Sequence, residues 1–172
     1  RRTNFIHAGV QLALAICEAY KKKLLNEKTA ERELGRVIVL LDHYVDNIKA
    51  QMLGKLFCQY VDRDYSWDKF CELSDILNRL FLDDMPFLYS ILDSEGRQAI
   101  YHIYKIPYNI KRLESIGLVE LFGEYSSFGD RLLLSENMFA ELTDNGLLFA
   151  DVGSGLFKGA IQPQENFEKQ SG

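Results

Sequence analysis

Residues that interrupt helices are scarce at the start of this sequence. The first 100 residues contain one proline, Pro86, and four glycines, which is typical of a helical region. The chain has three cysteines, Cys17, Cys58 and Cys71, and none of them forms a CxxC pair or lies at a zinc-ligand spacing from a histidine. Disulfide frameworks and cysteine-rich zinc sites are therefore not indicated. Buried free thiols in a reducing cytoplasm fit the pattern.

A long apolar run is also lacking. The segment Thr3–Cys17 carries no charged residue, but it is fifteen residues long and includes Asn4 and Gln11, whereas a spanning helix needs about 20 mainly apolar residues. It has no convincing signal-peptide cleavage site. Because the chain begins with Arg-Arg rather than Met, we expect a piece of a longer protein. Any membrane anchor would lie upstream of Arg1.

Positive charge is in deficit. The 172 residues carry a net charge of −5, with 47% apolar and 26% charged residues, the balance of a soluble globular protein of one large or two small domains. A general nucleic-acid binder is disfavoured, because phosphate contacts need a local surplus of lysine and arginine. Residues 1–25 are an exception, with five basic residues and one glutamate. Such a helix could lie on an anionic membrane or pair with a second chain in a homodimer, but we favour a core helix with a solvated end.

Helical periodicity predicts a bundle of five helices over residues 1–92. Their expected first residues or caps are Thr3, Thr29, Asp46 or Asn47, Ser66, and Asp83 or Asp84. These are residue types that favour helix N-termini. In the second helix the apolar stripe is wide, which suggests burial on more than one side, and Gly35 suggests a close helix contact.

The pattern changes over residues 93–152. Arg97–Lys105 is predicted to be helical, and a further helix is predicted over Pro107–Ile116, ended by Gly117 in the left-handed conformation. Strands are expected at Leu118–Phe122 and Arg131–Leu134.

The two strands are joined by a turn at Gly123–Gly129. Phe139–Leu142 is a candidate third strand, and Thr143 is expected to cap a last helix that ends near Phe149. Gly153–Gly155 is interpreted as a linker to a flexible tail, 153–172. The predicted fold is thus mainly α: an N-terminal helical bundle over 1–92 and a small winged-helix (α+β) module over 93–152.

The run KAQMLGKLFCQYVDRDYSWDKFCELSDILNRLFLDDMPFL, residues 49–88, resembles a helical block in a family of uncharacterised bacterial proteins. It has a K-x-x-x-L-G-K-L-F-x-x-Y helix and a W-x-x-F-x-x-L-x-x-I-L helix, and the chain continues to a winged-helix-like segment that ends in L-T-x-x-G. The resemblance covers about residues 34–152. It implies a fold and no activity, so it transfers no catalytic residue and no cofactor.

No catalytic constellation stands out in the sequence. Residues 62–68 place oxygen-bearing side chains like the start of a calcium loop, but Trp67 occupies the position that requires glycine and Leu73 the position that requires glutamate. A turn with a helix cap explains the same residues. The histidines His7, His43 and His102 are far apart, and phosphate-binding and nucleophile-elbow motifs are missing. We therefore expect a non-enzymatic protein without a cofactor or a metal.

The most function-like surface is the exposed side of the predicted 107–116 helix. Its candidate partner-binding residues are Tyr108, Asn109, Lys111, Arg112 and Ser115. Asparagine and arginine can contact base edges and lysine can contact phosphate, but an ordinary solvated helix face fits equally well. Residues 101–172 carry six basic and ten acidic residues, so a protein partner is favoured over DNA. The expected function is a cytoplasmic interaction or regulatory module. The alternatives are a DNA-binding transcriptional regulator and the cytoplasmic part of a membrane-anchored protein.

Overall fold

The computed structural model describes residues 14, 18, 27–43, 46–63, 65–92, 98–128 and 131–157. These residues are mainly helical and include one three-stranded antiparallel sheet, which confirms the mainly α class. The chain forms two compact units, Arg1–Arg79 and Leu80–Gly172. The first predicted helix lies outside the described residues except for Leu14 and Glu18, which are both helical.

The described ranges 27–43, 46–63 and 65–79 of the first unit contain three helices. They are α1 (Glu27–His43), α2 (Asn47–Arg63) and α3 (Trp67–Arg79). The Oδ1 atom of Asp46 accepts a hydrogen bond from the Ile48 amide at 2.7 Å, and Ser66 Oγ accepts one from the Lys69 amide at 3.2 Å. Both caps satisfy amides that have no partner within the helix, and they confirm the predicted starts of α2 and α3.

Aromatic side chains fill the contact between α2 and α3. The rings of Phe57 and Phe70 meet edge to face with centroids 5.6 Å apart, and the Trp67 ring lies 5.0 Å from that of Phe70. Phe57 and Phe70 are fully buried. At the other end of α3, Lys49 Nζ donates to the Asn78 carbonyl at 3.0 Å, which places a cation at the negative end of the helix dipole.

Two predictions for α1 are wrong. Val37 is fully buried, but Ile38 and Val39 are 52% and 57% exposed, so the apolar stripe is buried on one side. Consecutive helical residues are separated by about 100° around the axis, and positions 38 and 39 therefore turn away from the face of Val37. Gly35 makes no close helix contact, since an added Cβ would have no heavy atom within 4 Å.

The second unit combines short helices with the sheet. Its elements are a 3₁₀ turn (Leu82–Asp84), α4 (Met85–Leu92), β1 (Gln98–His102), a second 3₁₀ turn (Ile103–Lys105), α5 (Tyr108–Ser115), β2 (Val119–Phe128), β3 (Arg131–Leu142) and α6 (Asp144–Gly153). The sheet order is β1-β3-β2, and both pairs are antiparallel. Helix α4, which the sequence assigned to the bundle, lies in this unit.

The strands differ from those predicted. The expected helix Arg97–Lys105 is wrong, because residues 98–102 form β1 and pair with β3, with Ile100 opposite Phe139. β-Branched and aromatic residues fit a strand when a partner strand is present. The expected turn at Gly123–Gly129 is too long, since β2 continues to Phe128 through an irregularity after Gly123. The candidate third strand at Phe139–Leu142 is the end of β3.

The helices of the second unit pack tightly at the end of α6. Tyr89 Oη donates to the Ala150 carbonyl at 3.2 Å, and a Cβ on Gly153 would lie 2.6 Å from Tyr89 Oη and 2.7 Å from Met85 Cε. Gly153 is the buried last residue of α6, and the Phe157 ring follows at 6.2 Å from that of Tyr89. The predicted linker at this point is therefore wrong, because packing against α4 continues through Phe157.

Candidate functional site

Helix α5 carries the candidate residues, and the spacing of its apolar residues determines which side of it faces the core. Ile110 and Leu113 are fully buried, and side chains three residues apart lie on the same face of a helix. Gly117 ends the helix with φ +78°, a conformation that glycine adopts without strain. These features confirm the predicted helix and its predicted core face. The remaining faces are available for other contacts.

One side of α5 is fastened to a buried carboxylate. Asp84 is fully buried, and its Oδ1 atom accepts a hydrogen bond from Asn109 Nδ2 at 2.6 Å. Arg112 Nε donates to Asp84 Oδ2 at 3.0 Å, and its Nη2 donates to Oδ1. The guanidinium thus binds both oxygens of the carboxylate through two of its donors, Nε and Nη2, the strong bidentate geometry for an arginine–carboxylate pair. A buried carboxylate without such donors would be strongly destabilising.

The guanidinium of the same arginine lies over two aromatic rings. The Arg112 guanidinium carbon lies 4.5 Å from the ring centroid of Phe81 and 5.1 Å from that of Tyr108. Phe81 is 58% exposed and Tyr108 is 70% exposed. The hydrogen bond from Arg112 to Asp84 raises the pKa of Arg112 above its ordinary value, and a smaller effect of desolvation opposes this shift. We refer to Phe81, Tyr108 and Arg112 together as the aromatic–arginine surface.

The five predicted residues separate into two groups. Asn109 and Arg112 are turned towards Asp84, whereas Tyr108, Lys111 and Ser115 are exposed. Ser115 Oγ donates to the carbonyl of Arg112 at 2.7 Å, a local contact within the helix. The structure therefore brings Tyr108 and Arg112 together in one surface and gives Asn109 an internal role.

Sequence reasoning missed Asp84 and Phe81. Asp84 was expected only as a helix start, and nothing distinguishes it in the sequence from its neighbour Asp83, which is exposed. Its partners Asn109 and Arg112 follow 25 and 28 residues later. Asn109 and Arg112 are three residues apart on one helix, and this spacing was the one available signal that they could share a ligand.

In the first unit, the titratable side chains of Glu33 and Tyr60 bind each other and have a structural role. Tyr60 Oη donates to Glu33 Oε2 at 3.2 Å, and Glu33 is buried. Burial raises the pKa of Glu33, against smaller lowering effects of Tyr60 and Arg32. Burial, together with the charge of Glu33, raises the pKa of Tyr60 to about 12.

The described cysteines form no disulfide, and the described residues of the calcium-loop-like segment 62–68 form no metal site. Cys58 and Cys71 are free and half-buried, and Cys17 lies outside the described residues. Burial raises the pKa of the Cys58 thiol, and Asp62 raises it further, so Cys58 is a poor nucleophile. In the part of the chain that the structure describes, no group of three or more His, Cys, Asp or Glu residues could hold a metal ion.

The described helices are also too short or too polar to cross a membrane. His102 Nδ1 accepts a hydrogen bond from the Tyr104 amide at 3.4 Å, so this histidine caps the second 3₁₀ turn. No protein-family model, curated protein or solved structure matches this chain.

Proposed function

We propose that this chain is a non-enzymatic, cytoplasmic interaction module that binds a protein partner through the aromatic–arginine surface of its second unit. The observation that carries the proposal is the contact of the Arg112 guanidinium with the exposed rings of both Phe81 and Tyr108. Tyrosine and arginine are enriched among the residues that dominate protein–protein binding energy. Asp84 already fixes the guanidinium, so a partner that binds it immobilises little further side-chain freedom.

The order of elements supports a winged-helix-like arrangement for this unit. Helix α5 is followed directly by the β2–β3 hairpin, and the upstream strand β1 pairs with β3 on the other side. In this proposal α5 takes the place of a recognition helix and the hairpin takes the place of a wing. The resemblance to the uncharacterised bacterial family is part of the same proposal.

Charge favours protein over DNA as the partner. Hydrogen bonds to Asp84 engage both the amide of Asn109 and the guanidinium of Arg112, which are the two groups on α5 best suited to base edges. Lys111 is then left on α5 as the cation for a phosphate. The segment 123–130 contains Glu124 and Asp130 and no basic residue, so the tip of the hairpin would repel a phosphate backbone.

A site-specific crosslinker at Tyr108 tests the proposal. The full chain with p-benzoylphenylalanine at position 108 is irradiated in an extract of the source organism, and the same probe at the exposed Arg36 of the first unit serves as control. We expect one protein to be captured at position 108 and not at position 36. Binding of that purified partner should weaken about thirtyfold in Tyr108→Ala, a loss typical of a central interface residue.

The control variant Ser115→Ala should bind as the wild type does, because the Ser115 hydroxyl contacts its own helix. Two results would replace the proposal. The first is binding to duplex DNA that falls steeply with salt and is lost in Lys111→Ala, which would establish the DNA-binding alternative. The second is turnover of a defined substrate by the purified chain, which would make it an enzyme.

A further inference from the structure

The sheet of the second unit has one buried face and one exposed apolar row. Side chains alternate between the two faces along each strand, and Ala140 and Leu142 belong to the buried face. On the opposite face Ile100, Phe139 and Phe122 stand side by side across the three strands. Ile100 is 63% exposed and Phe122 is 38% exposed, and the rings of Phe122 and Phe139 stack with centroids 5.6 Å apart.

Two glutamates lie beside this row on the same face. Glu120 of β2 is directly opposite Glu141 of β3, and both are exposed. Each is two residues from a member of the apolar row, so each lies about 7 Å from it along its strand. Like charges directly opposite each other destabilise strand pairing. No salt bridge of the described residues offsets either carboxylate.

The free protein therefore carries two unfavourable features next to each other: apolar side chains in water and a pair of facing carboxylates. One kind of ligand removes both, because it covers the apolar row and places a cation between the carboxylates. We propose that the outer face of the sheet binds a basic amphipathic segment of another protein. Its apolar side would cover Ile100, Phe139 and Phe122, and a lysine or arginine one helical turn away would reach Glu120 and Glu141.

Charge selects this occupant over the others. The phosphates of a nucleic acid or of an anionic membrane would be repelled by the two glutamates. A second copy that presents the same face would place four carboxylates together. This surface is distinct from the aromatic–arginine surface, so the inference goes beyond the proposed function and its test does not depend on Tyr108.

The test uses the full chain and a fluorescein-labelled 18-residue peptide of leucine and lysine in helical spacing, followed by fluorescence anisotropy. Wild-type protein should bind the peptide and lose affinity as salt is added, whereas the matched leucine–glutamate peptide should not bind. Glu120→Lys should weaken binding about tenfold, because it removes one attraction and adds one repulsion. Ile100→Ser should weaken binding as well, through the loss of apolar contact.

Glu114→Lys is the matched control, since it makes the same charge change at an exposed position of α5 and should alter binding less than about twofold. Glu120→Lys should also raise the melting temperature, because it turns a facing pair of like charges into an attractive pair; a misfolded variant would lower it. The proposal is overturned if the lysine peptide fails to bind or if Glu114→Lys weakens binding as much as Glu120→Lys. It is also overturned if the chain self-associates and Glu120→Lys abolishes that association, which would make a second copy the occupant.

Discussion

Gly146 and Gly35 both lie inside helices, and we expect the same substitution to change stability in opposite directions at the two positions. A Cβ added to Gly146 in α6 would lie 2.0 Å from the carbonyl oxygen of Leu118. Ordinary contact of a Cβ begins at about 3.4 Å, so the first turn of α6 would have to move by about 1.4 Å. That movement would break the hydrogen bond from the Thr143 amide to the same oxygen, which is 3.2 Å long.

The magnitude follows from three contributions. Overpacking costs about 1–3 kcal/mol, the lost hydrogen bond costs about 1 kcal/mol, and alanine gains about 1 kcal/mol over glycine in a helix. Gly146→Ala should therefore destabilise the second unit by about 2 kcal/mol. At Gly35 the added methyl group meets no atom within 4 Å, so only the helix preference remains. Gly35→Ala should stabilise the first unit by about 0.5–1 kcal/mol.

Urea unfolding measures both effects if each unit is followed separately. The chain contains one tryptophan, Trp67 at the start of α3, so tryptophan fluorescence reports the first unit. Hydrogen–deuterium exchange of peptides that cover 118–122 and 144–153 reports the second unit. A Gly146→Ala protein as stable as the wild type would refute the close approach of α6 to Leu118. Loss of stability in Gly35→Ala would refute the open surroundings of α1.

Three further outcomes are expected. Asp84→Ala should destabilise the second unit by about 3 kcal/mol, because it leaves buried donors without a partner, whereas the exposed Asp83→Ala should stay within about 0.5 kcal/mol of the wild type in urea unfolding. The raised pKa of Glu33 means that its carboxyl loses its proton more readily in the unfolded chain, so its contribution to stability falls as pH rises from about 4.5 through the folded pKa. Glu33→Gln should therefore stabilise the first unit at pH 7 and change little at pH 4, as followed by Trp67 fluorescence; equal effects at both pH values would contradict this. Thr143→Ala should destabilise α6 by about 1 kcal/mol in thermal unfolding, and Thr143→Ser should retain the cap.

Local signals in the sequence were sufficient for most helices. The caps Asp46, Ser66 and Thr143 and the terminating glycine Gly117 act between residues two to four positions apart, and each is found where the sequence placed it. The buried positions of α5 also follow from spacing alone, as Ile110 shows.

The features that the sequence could not predict depend on contacts between residues that are far apart in the chain. Residues 98–102 become a strand because β3, more than 30 residues later, pairs with them, and no local window contains that partner. The candidate site could not be predicted from the sequence for the same reason. Arg112 looks like a solvated or ligand-binding arginine in its own helix, and only the fold reveals that Asp84 lies within hydrogen-bond distance.

The base of the β2–β3 hairpin is held closed by a contact outside the sheet. Thr143 Oγ1 donates to the Gly117 carbonyl at 2.7 Å, and the Thr143 amide donates to the Leu118 carbonyl, so the residues before β2 and after β3 are joined directly. The pairing of β2 with β3 therefore does not depend on the turn at the far end of the hairpin. We therefore expect the helices and the three-stranded part of the sheet to keep their structure when additional residues, or a peptide tag, are inserted between Phe128 and Arg131.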